Sequence, residues 1–220
     1  GTEKELLPSV LAGGFPGASV GSNASLTIIN SNSKTMFQDI YMGHGSGKDQ
    51  NVSYTGDAVL KLDNPVTVRG SIYTDSNTSA EIYLNGNGKS IFNHAYATSF
   101  VGNDTTTLRM TDCTVSRAVI DGVGMVQLNN ATLMPQTDRF HTVNVQENAC
   151  LDLSELVNVT ITGDFVGDLG TDIGTAGKLV LDREGSITIQ GTVEGTTIFQ
   201  TGNRSIPGAP IVGKEYIIAG

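Results

Sequence analysis

Two stretches of 13 residues, LDLSELVNVTITG at 151–163 and LVLDREGSITIQG at 179–191, carry the same pattern. Each reads apolar-x-apolar, then a turn, then apolar-x-apolar-x-Gly, and LKLDNPVTVRG at 60–70 repeats the pattern with a shorter turn. Alternation with a period of two points one set of side chains inward and the other toward water, so each unit predicts two short strands. The return of the same unit indicates a repeat protein.

The spacing of the alternating runs gives the length of the repeat. From Leu60 to Leu179 we count five steps, through residues 82, 108, about 130 and 151, with a mean of about 24 residues. One such coil cannot bury its own apolar side chains, whereas coils stacked about 4.8 Å apart pair as a parallel sheet and share one core. The recurrent Gly predicts a corner that leaves no room for a Cβ.

This pattern resembles the right-handed parallel β-helix superfamily, which includes pectate-lyase-like enzymes, phage tailspikes and adhesin-like segments of bacterial surface proteins. The predicted fold class is therefore all-β, a single-stranded right-handed parallel β-helix with coils of about 22–28 residues. An antiparallel sandwich is the alternative, but it should not show a sustained period, and hairpin signals such as Asn85-Gly86 are few.

The resemblance also suggests a division of the chain. We expect residues 1–19 to be an N-terminal cap or linker, and residues 20–220 to be the repeat domain, taken from a longer protein. A cap would cover the exposed edge of the first coil. The apolar residues that could do so are Leu6, Leu7, Val10, Leu11 and Phe15.

Composition restricts the partners. Thirteen basic residues against twenty-two acidic ones give a net charge of −9, which repels nucleic acids and anionic lipid surfaces. No stretch approaches the roughly 18 apolar residues of a membrane span. We therefore expect neither a nucleic-acid partner nor a membrane span in this chain.

Catalytic constellations known on this fold are incomplete in the sequence. Gly43-His44-Gly45 is similar to the Gly-His-Gly signature of polygalacturonase-like glycosidases, but no Asp-Asp, Asn-x-Asp or Arg-x-Lys accompanies it. Hydrolysis of a glycosidic bond needs two carboxyl groups across that bond. His44 is thus predicted to be a turn residue. The histidines at 44, 94 and 141 lie about two coils apart, too far to share a zinc ion.

Two further sets of residues remain candidates for a site. Asp164, Asp168 and Asp172 lie in a Gly-rich loop that could surround calcium, although solvated aspartates are the favoured interpretation. If the chain is an enzyme, the residues to suspect are Asp112, Arg117 and Asp121. The sequence predicts no cofactor, and it predicts that Cys113 and Cys150 lie nearly two coils apart and stay unpaired.

Asn-x-Ser/Thr recurs with the repeat, and its first six occurrences lie 26 to 28 residues apart. We interpret the motif mainly as a mark of coil corners, where Asn and Thr side chains can satisfy turn backbone. Glycosylation acceptors are the alternative interpretation. The motif begins at Asn23, Asn51, Asn77, Asn103, Asn130, Asn158 and Asn203.

These features favour a non-catalytic structural or adhesive module of an extracellular or cell-surface protein. The resemblance implies a bacterial source, and the partners would be polysaccharides or host surface proteins. A polysaccharide lyase, a glycoside hydrolase or an inactive relative of one is the alternative, and a trimeric phage tailspike fragment is a third. An enzyme would bring carboxylates from neighbouring coils together with Arg or Lys in a groove.

Overall fold

The computed structural model describes residues 10–12, 24–28, 36–42, 56–63, 67–74, 78–91, 97–168, 170–171, 174–182, 184–201 and 215–219. These residues form strands and turns, and none of them is helical. The described residues accordingly include no helix with the length and apolar character needed to cross a bilayer. The all-β class predicted from the sequence is confirmed.

The described part of the chain contains short strands and two long ones. The first half holds β1 Val10–Ala12, β2 Ala24–Ile28, β3 Met36–Phe37, β4 Ile40–Met42, β5 Gly56–Asp63, β6 Thr67–Val68, β7 Ser71–Thr74, β8 Thr78–Ser90, β9 Ser99–Val101 and β10 Thr106–Asp121. The second half holds β11 Met125–Asn129, β12 Thr132–Pro135, β13 Arg139–Phe140, β14 Thr142–Val145, β15 Cys150–Leu153, β16 Asn158–Ile161, β17 Phe165–Gly167, β18 Lys178–Leu181, β19 Ser186–Ile189, β20 Val193–Glu194, β21 Thr196–Thr201 and β22 Glu215–Ala219.

The strands stack into three faces of a coil. The first face runs through β2, β5, β8, the start of β10, β11, β14, β17 and β20. The second runs from the end of β8 through the middle of β10 to β12, β15, β18 and β21. The third runs through β1, β4, β7, β9 and the end of β10, and a separate ladder of β13, β16 and β19 follows.

All of these ladders are parallel, so the chain is a parallel β-helix, as predicted. The strand β22 departs from the pattern, since it pairs antiparallel with β21 at the end of the second face.

The coil length agrees with the prediction on average but varies along the chain. On the first face, Leu26 to Val193 spans seven steps, and their mean equals the predicted period. The longest step runs from Leu26 to Leu60, and the shortest, from Val126 to Val143, is half as long.

The register predicted for the later repeats was wrong. Leu60 lies on the first face, whereas Leu151 and Leu179 pair with each other on the second. The units at 60–70 and 151–163 therefore start on different faces. Every face carries the same apolar-x-apolar pattern, so the pattern identifies a strand without identifying its face.

Inward side chains of successive coils lie directly above one another and form one continuous core. Met110, Leu128 and Val145 are equivalent in three consecutive coils, and each is at most 1% exposed. Burying each such side chain stabilises the fold by about 1.5–3 kcal/mol. The outward-facing neighbours of these residues on the same strands are polar. Apolar and polar residues therefore alternate along each strand.

The corner between the first and second faces holds a residue with positive φ in four coils. Asn87, Asp112, Asn130 and Asn148 have φ of 46–55°. Among residues other than glycine, Asn and Asp tolerate this left-handed conformation best. Asn130 Nδ2 also donates to Asp112 Oδ1 at 2.5 Å, which joins adjacent coils at the corner.

Replacing Asn130 by alanine should lower the free energy of unfolding by about 1–2 kcal/mol, because alanine is strained at this φ and loses the bond to Asp112. The Asn130→Gly variant is the matched comparison, since glycine adopts the same φ without strain, loses the same bond and adds only its larger loss of chain entropy, about 0.5–1 kcal/mol. Urea denaturation of both variants measures the difference. An alanine variant that is more stable than the glycine variant by this amount would show that backbone strain does not shape this corner.

Glycine occupies the predicted corners for the predicted reason. A Cβ on Gly163 would lie 2.6 Å from Thr142 Oγ1, and one on Gly191 would lie 2.5 Å from the Gly163 carbonyl carbon. Gly70 is equally crowded, with Gln38 O 2.8 Å from its missing Cβ. At these corners the coils approach too closely for any other residue.

The N-terminal region is described only in part. Val10 and Leu11, two of the expected cap residues, belong to β1, which continues the third face by pairing with β4. Leu6, Leu7 and Phe15 lie outside the described residues. Residues 10–12 thus pair in parallel with β4, and the division of the chain at residue 19 stays a prediction.

The two cysteines are both free. Cys113 precedes Thr114, which pairs with Thr132, and Thr132 pairs in turn with Cys150, so the cysteines are two coils apart as predicted. Burial raises the pKa of the Cys113 thiol to about 12 and that of Cys150 to about 11. Neither thiol is activated as a nucleophile.

Candidate functional site

The third face is interrupted between β10 and β13. The end of β10 pairs with β9, and β13 pairs with β16, but no ladder joins β10 to β13 within the described ranges. Instead the Ile120 N–H donates to Thr137 Oγ1 at 2.7 Å, so a side chain replaces the carbonyl of the neighbouring strand.

The interruption coincides with the two shortest steps on the first face. Arg109 and the Gln127 beside it in the next coil are 18 residues apart, and Asn129 and the Gln146 to which it bonds are 17 residues apart. These short coils leave few residues for the third face. The strand β13 is accordingly only two residues long.

A groove of about 320 Å³ opens at this interruption. It runs across consecutive coils, because its walls come from the turn before β10, the end of β10, β13 and the turn after β16. Its polar lining consists of Asp104, Asp121, Thr137, Arg139, His141 and Thr162.

Three charged side chains line the groove and have no partner in the part of the chain that the structure describes. Within the described residues, the side chains of Asp104, Asp121 and Arg139 form no ion pair or hydrogen bond. Asp121 and Arg139 lie on adjacent coils, yet they do not pair with each other. Charges held in a groove without partners are typical of binding sites, although exposed charges elsewhere are common and carry no such meaning.

His141 has a defined orientation at the groove. Its Nδ1 lies 3.0 Å from the carbonyl oxygen of Gly124 in the preceding coil. A carbonyl accepts only, so we infer that Nδ1 carries the proton and that Nε2 is the ring atom left for a ligand. The side chain is exposed.

Asp164 lies next to His141 at the same corner. Its Oδ1 accepts hydrogen bonds from the Thr192 N–H and hydroxyl, both at 2.8 Å. These bonds lower the pKa of Asp164, and the nearby His141 ring adds a smaller effect in the same direction. Asp164 therefore fixes the next coil and is not free for a ligand.

The wall of the groove depends on two glycines. Gly122 has φ of +68°, and Gly124 leaves no space for a Cβ because the Asp104 backbone lies against it. Backbone bonds hold the coils together at this point: the Gly102 N–H donates to Asp121 O at 2.8 Å, and the Gly124 N–H donates to Asn103 O at 3.0 Å. These backbone hydrogen bonds thus fix the positions of Asp104 and Asp121.

The first face offers a second polar surface, but its side chains bond to one another. Arg109 Nε donates to Glu81 Oε2 at 2.8 Å, and the same guanidinium donates to Gln127 in the next coil. The bond from Arg109 lowers the pKa of Glu81. Lys61 lies over the Tyr83 ring, 5.5 Å from its centroid. A ligand would have to break these contacts, so this face is the weaker candidate site.

The residues suspected for an enzyme do not come together. Asp112, Arg117 and Asp121 lie at three different corners of the single coil formed by β10. Asp112 accepts the bond from Asn130, and Arg117 is an exposed residue with φ of 60° at a bulge in the second face. Only Asp121 lines the groove.

Asp104 and Arg139 were not predicted from the sequence. Sequence spacing does not mark them, because Asp121 pairs with Val101 while the Asp104 backbone packs against Gly124, so the two aspartates do not hold equivalent positions in their coils. The groove also lies beside the two short coils, whose lengths differ from the mean period.

Of the remaining candidate residues from the sequence, those that the structure describes do not line the groove. His44, His94 and Asp172 lie outside the described residues. Asp168 Oδ1 accepts the Gly170 N–H at 2.8 Å and so closes a turn. In the described ranges, no three His, Cys, Asp or Glu side chains are close enough to hold a metal ion.

Three of the Asn-x-Ser/Thr asparagines are described. Asn103 satisfies turn backbone, since its Nδ2 donates to Thr78 O and its Oδ1 accepts the Thr105 N–H. Asn130 bonds to Asp112 at its corner, and Asn158 Oδ1 accepts the Ser186 hydroxyl one coil on. Asn103 therefore satisfies turn backbone as predicted, whereas Asn130 and Asn158 bond to side chains of adjacent coils. The asparagines outside the described residues are Asn23, Asn51, Asn77 and Asn203.

No protein-family model, curated protein sequence or solved structure matches this chain. Its function is therefore inferred from the geometry of the groove.

Proposed function

We propose that this chain is a non-catalytic recognition module of an extracellular or cell-surface protein, and that it binds a glycan in the groove between β10 and β13. The observation that carries the proposal is that Asp104, Asp121 and Arg139, whose side chains have no partner among the described residues, line one groove of about 320 Å³.

The chemistry of the lining suits a sugar. Carboxylates accept hydrogen bonds from hydroxyl groups, a guanidinium donates to hydroxyl and ring oxygens, and the free Nε2 of a neutral imidazole accepts from a hydroxyl group. Thr137 and Thr162 add hydroxyl groups at the same surface. A pocket with few, fixed polar groups is the usual way in which proteins orient a small ligand.

The coil geometry suits an extended chain of sugars. The groove crosses from the end of β10 to β13, where the third face is interrupted, so it presents polar side chains of successive coils along the helix axis. Asp104, Asp121 and Arg139 come from three successive coils. A glycan lying along the axis would meet one of them at each step.

A glycoside hydrolase is the second candidate, since Asp104 and Asp121 place two carboxyl groups in the same groove. Hydrolysis needs two such groups on either side of the scissile bond. Release of reducing or unsaturated sugars separates this candidate from simple binding.

A glycan array probed with the wild type and two groove variants tests the proposal. Asp121→Asn and Arg139→Gln should each weaken binding about ten-fold, which corresponds to losing roughly one charged hydrogen bond. Glu184→Gln, an exposed carboxylate in the turn between β18 and β19, is the matched control and should bind as the wild type does.

Two results would count against this function. Binding that is unchanged in both groove variants would place the glycan site elsewhere. Turnover of a bound oligosaccharide that is lost in Asp121→Asn would make the chain a hydrolase or lyase instead of a recognition module.

A further inference from the structure

The groove is polarised along the helix axis, and this polarity restricts its ligand. Asp104 and Asp121 stand on two successive coils, and Arg139 and His141 stand together on the coil that follows. Acidic groups thus line one end of the groove, and the Arg139 guanidinium and the His141 imidazole line the other.

The two ends require opposite charges on the ligand. A guanidinium binds a carboxylate in a bidentate arrangement, and Arg139 has no intramolecular partner among the described residues. A carboxylate such as Asp121 binds an ammonium group by the same kind of charged hydrogen bond. The two sites stand on adjacent coils, at the point where no ladder joins β10 to β13 in the described residues.

We propose that the groove selects a zwitterionic glycan, in which a sugar with a free amino group neighbours a sugar with a carboxylate. This inference rests on the proposed function and names its ligand class. A glycan with carboxylates on every sugar would place one of them against Asp104 and Asp121, and the net charge of −9 also opposes a polyanion. A glycan with amino groups on every sugar would place one against Arg139.

The test uses three oligosaccharides with one backbone. N-deacetylated hyaluronan oligosaccharide alternates glucuronate with glucosamine that has a free amine. The parent N-acetylated oligosaccharide lacks the ammonium charge, and the carboxyl-reduced, N-deacetylated oligosaccharide lacks the carboxylate. Isothermal titration of the whole chain at about pH 6.5 should give about ten-fold tighter binding of the zwitterionic probe than of either control, equal to roughly one charged contact.

The groove variants assign each preference to one end. Asp121→Asn should abolish the preference for the free amine and keep that for the carboxylate, whereas Arg139→Gln should do the reverse. Circular dichroism and the urea midpoint verify that both variants fold. Preferences that persist in both variants would overturn the assignment of the two ends.

The remaining outcomes separate this inference from the proposed function. Equal binding of all three probes, weakened in both variants, would overturn the zwitterionic selectivity and leave the glycan-binding groove intact. Failure to bind any of the three probes or any glycan on the array would overturn both. Equally tight binding of a Lys-Glu alternating peptide would show that the groove recognises the charge pair on a peptide, which contradicts the assignment to a glycan.

Discussion

Replacement of Leu128 by alanine should lower the free energy of unfolding by about 2–5 kcal/mol. Leu128 is fully buried and lies between Met110 and Val145 in the coils on either side. Removing its side chain leaves a cavity in the middle of the core, and the stacked coils cannot collapse into it without breaking two ladders.

Urea denaturation followed by circular dichroism measures this loss. Asn129→Ala is the matched control, because Asn129 follows Leu128 on the same strand and its exposed side chain loses only the hydrogen bond to Gln146. The control should change stability by no more than about 1 kcal/mol. Similar losses in the two variants would contradict the inward orientation of Leu128 and the register of the first face.

Replacement of Gly124 by alanine should lower the free energy of unfolding by about 1–3 kcal/mol and should also abolish glycan binding. A Cβ at this position would lie 2.5 Å from the Asp104 carbonyl carbon and closer still to the carbonyl oxygen. The clash is with backbone, so the two coils must separate. That separation would displace Asp104 and the carbonyl that orients His141.

Gly185→Ala serves as the comparison for this second prediction. Its Cβ would approach Asp182 no closer than 3.1 Å, and the residue lies outside the groove. It should cost less stability and leave glycan binding unchanged. Wild-type binding by Gly124→Ala would contradict the dependence of the groove on close packing of these coils.

The fold could be predicted because its determinants are local and repeated. Alternation in runs such as Leu151-Asp152-Leu153 predicts the strands, and the recurring glycines predict the corners. The mean coil length followed from the spacing of these runs. The positive-φ corner of Asn130 and Asn148 has a weaker signal, since Asn is also abundant in ordinary turns.

The register was harder to predict because the three faces have the same sequence pattern. Leu60 and Leu151 begin similar units on different faces, and no local feature distinguishes them. The length of each coil decides the face, and coil length varies two-fold along the first face. Coil length depends on how turns pack, which is a tertiary property.

The candidate site was predicted only in part for the same reason. Asp121 was singled out, but its proposed companions Asp112 and Arg117 lie at other corners of the coil. The true neighbours of Asp121 come from two short coils that a search for a mean period passes over. A site formed by coils of unusual length cannot be located from the mean length of the repeat.

Whether the groove between β10 and β13 is the ligand site is tested most directly by a nuclear magnetic resonance titration. Amide shifts of a labelled chain would be followed while the tightest-binding oligosaccharide is added. We predict that the largest changes fall on Gly122, Val123 and His141, which line the groove. Changes concentrated on the first face around Tyr83 and Gln127, with the groove amides unmoved, would contradict a ligand site in the groove.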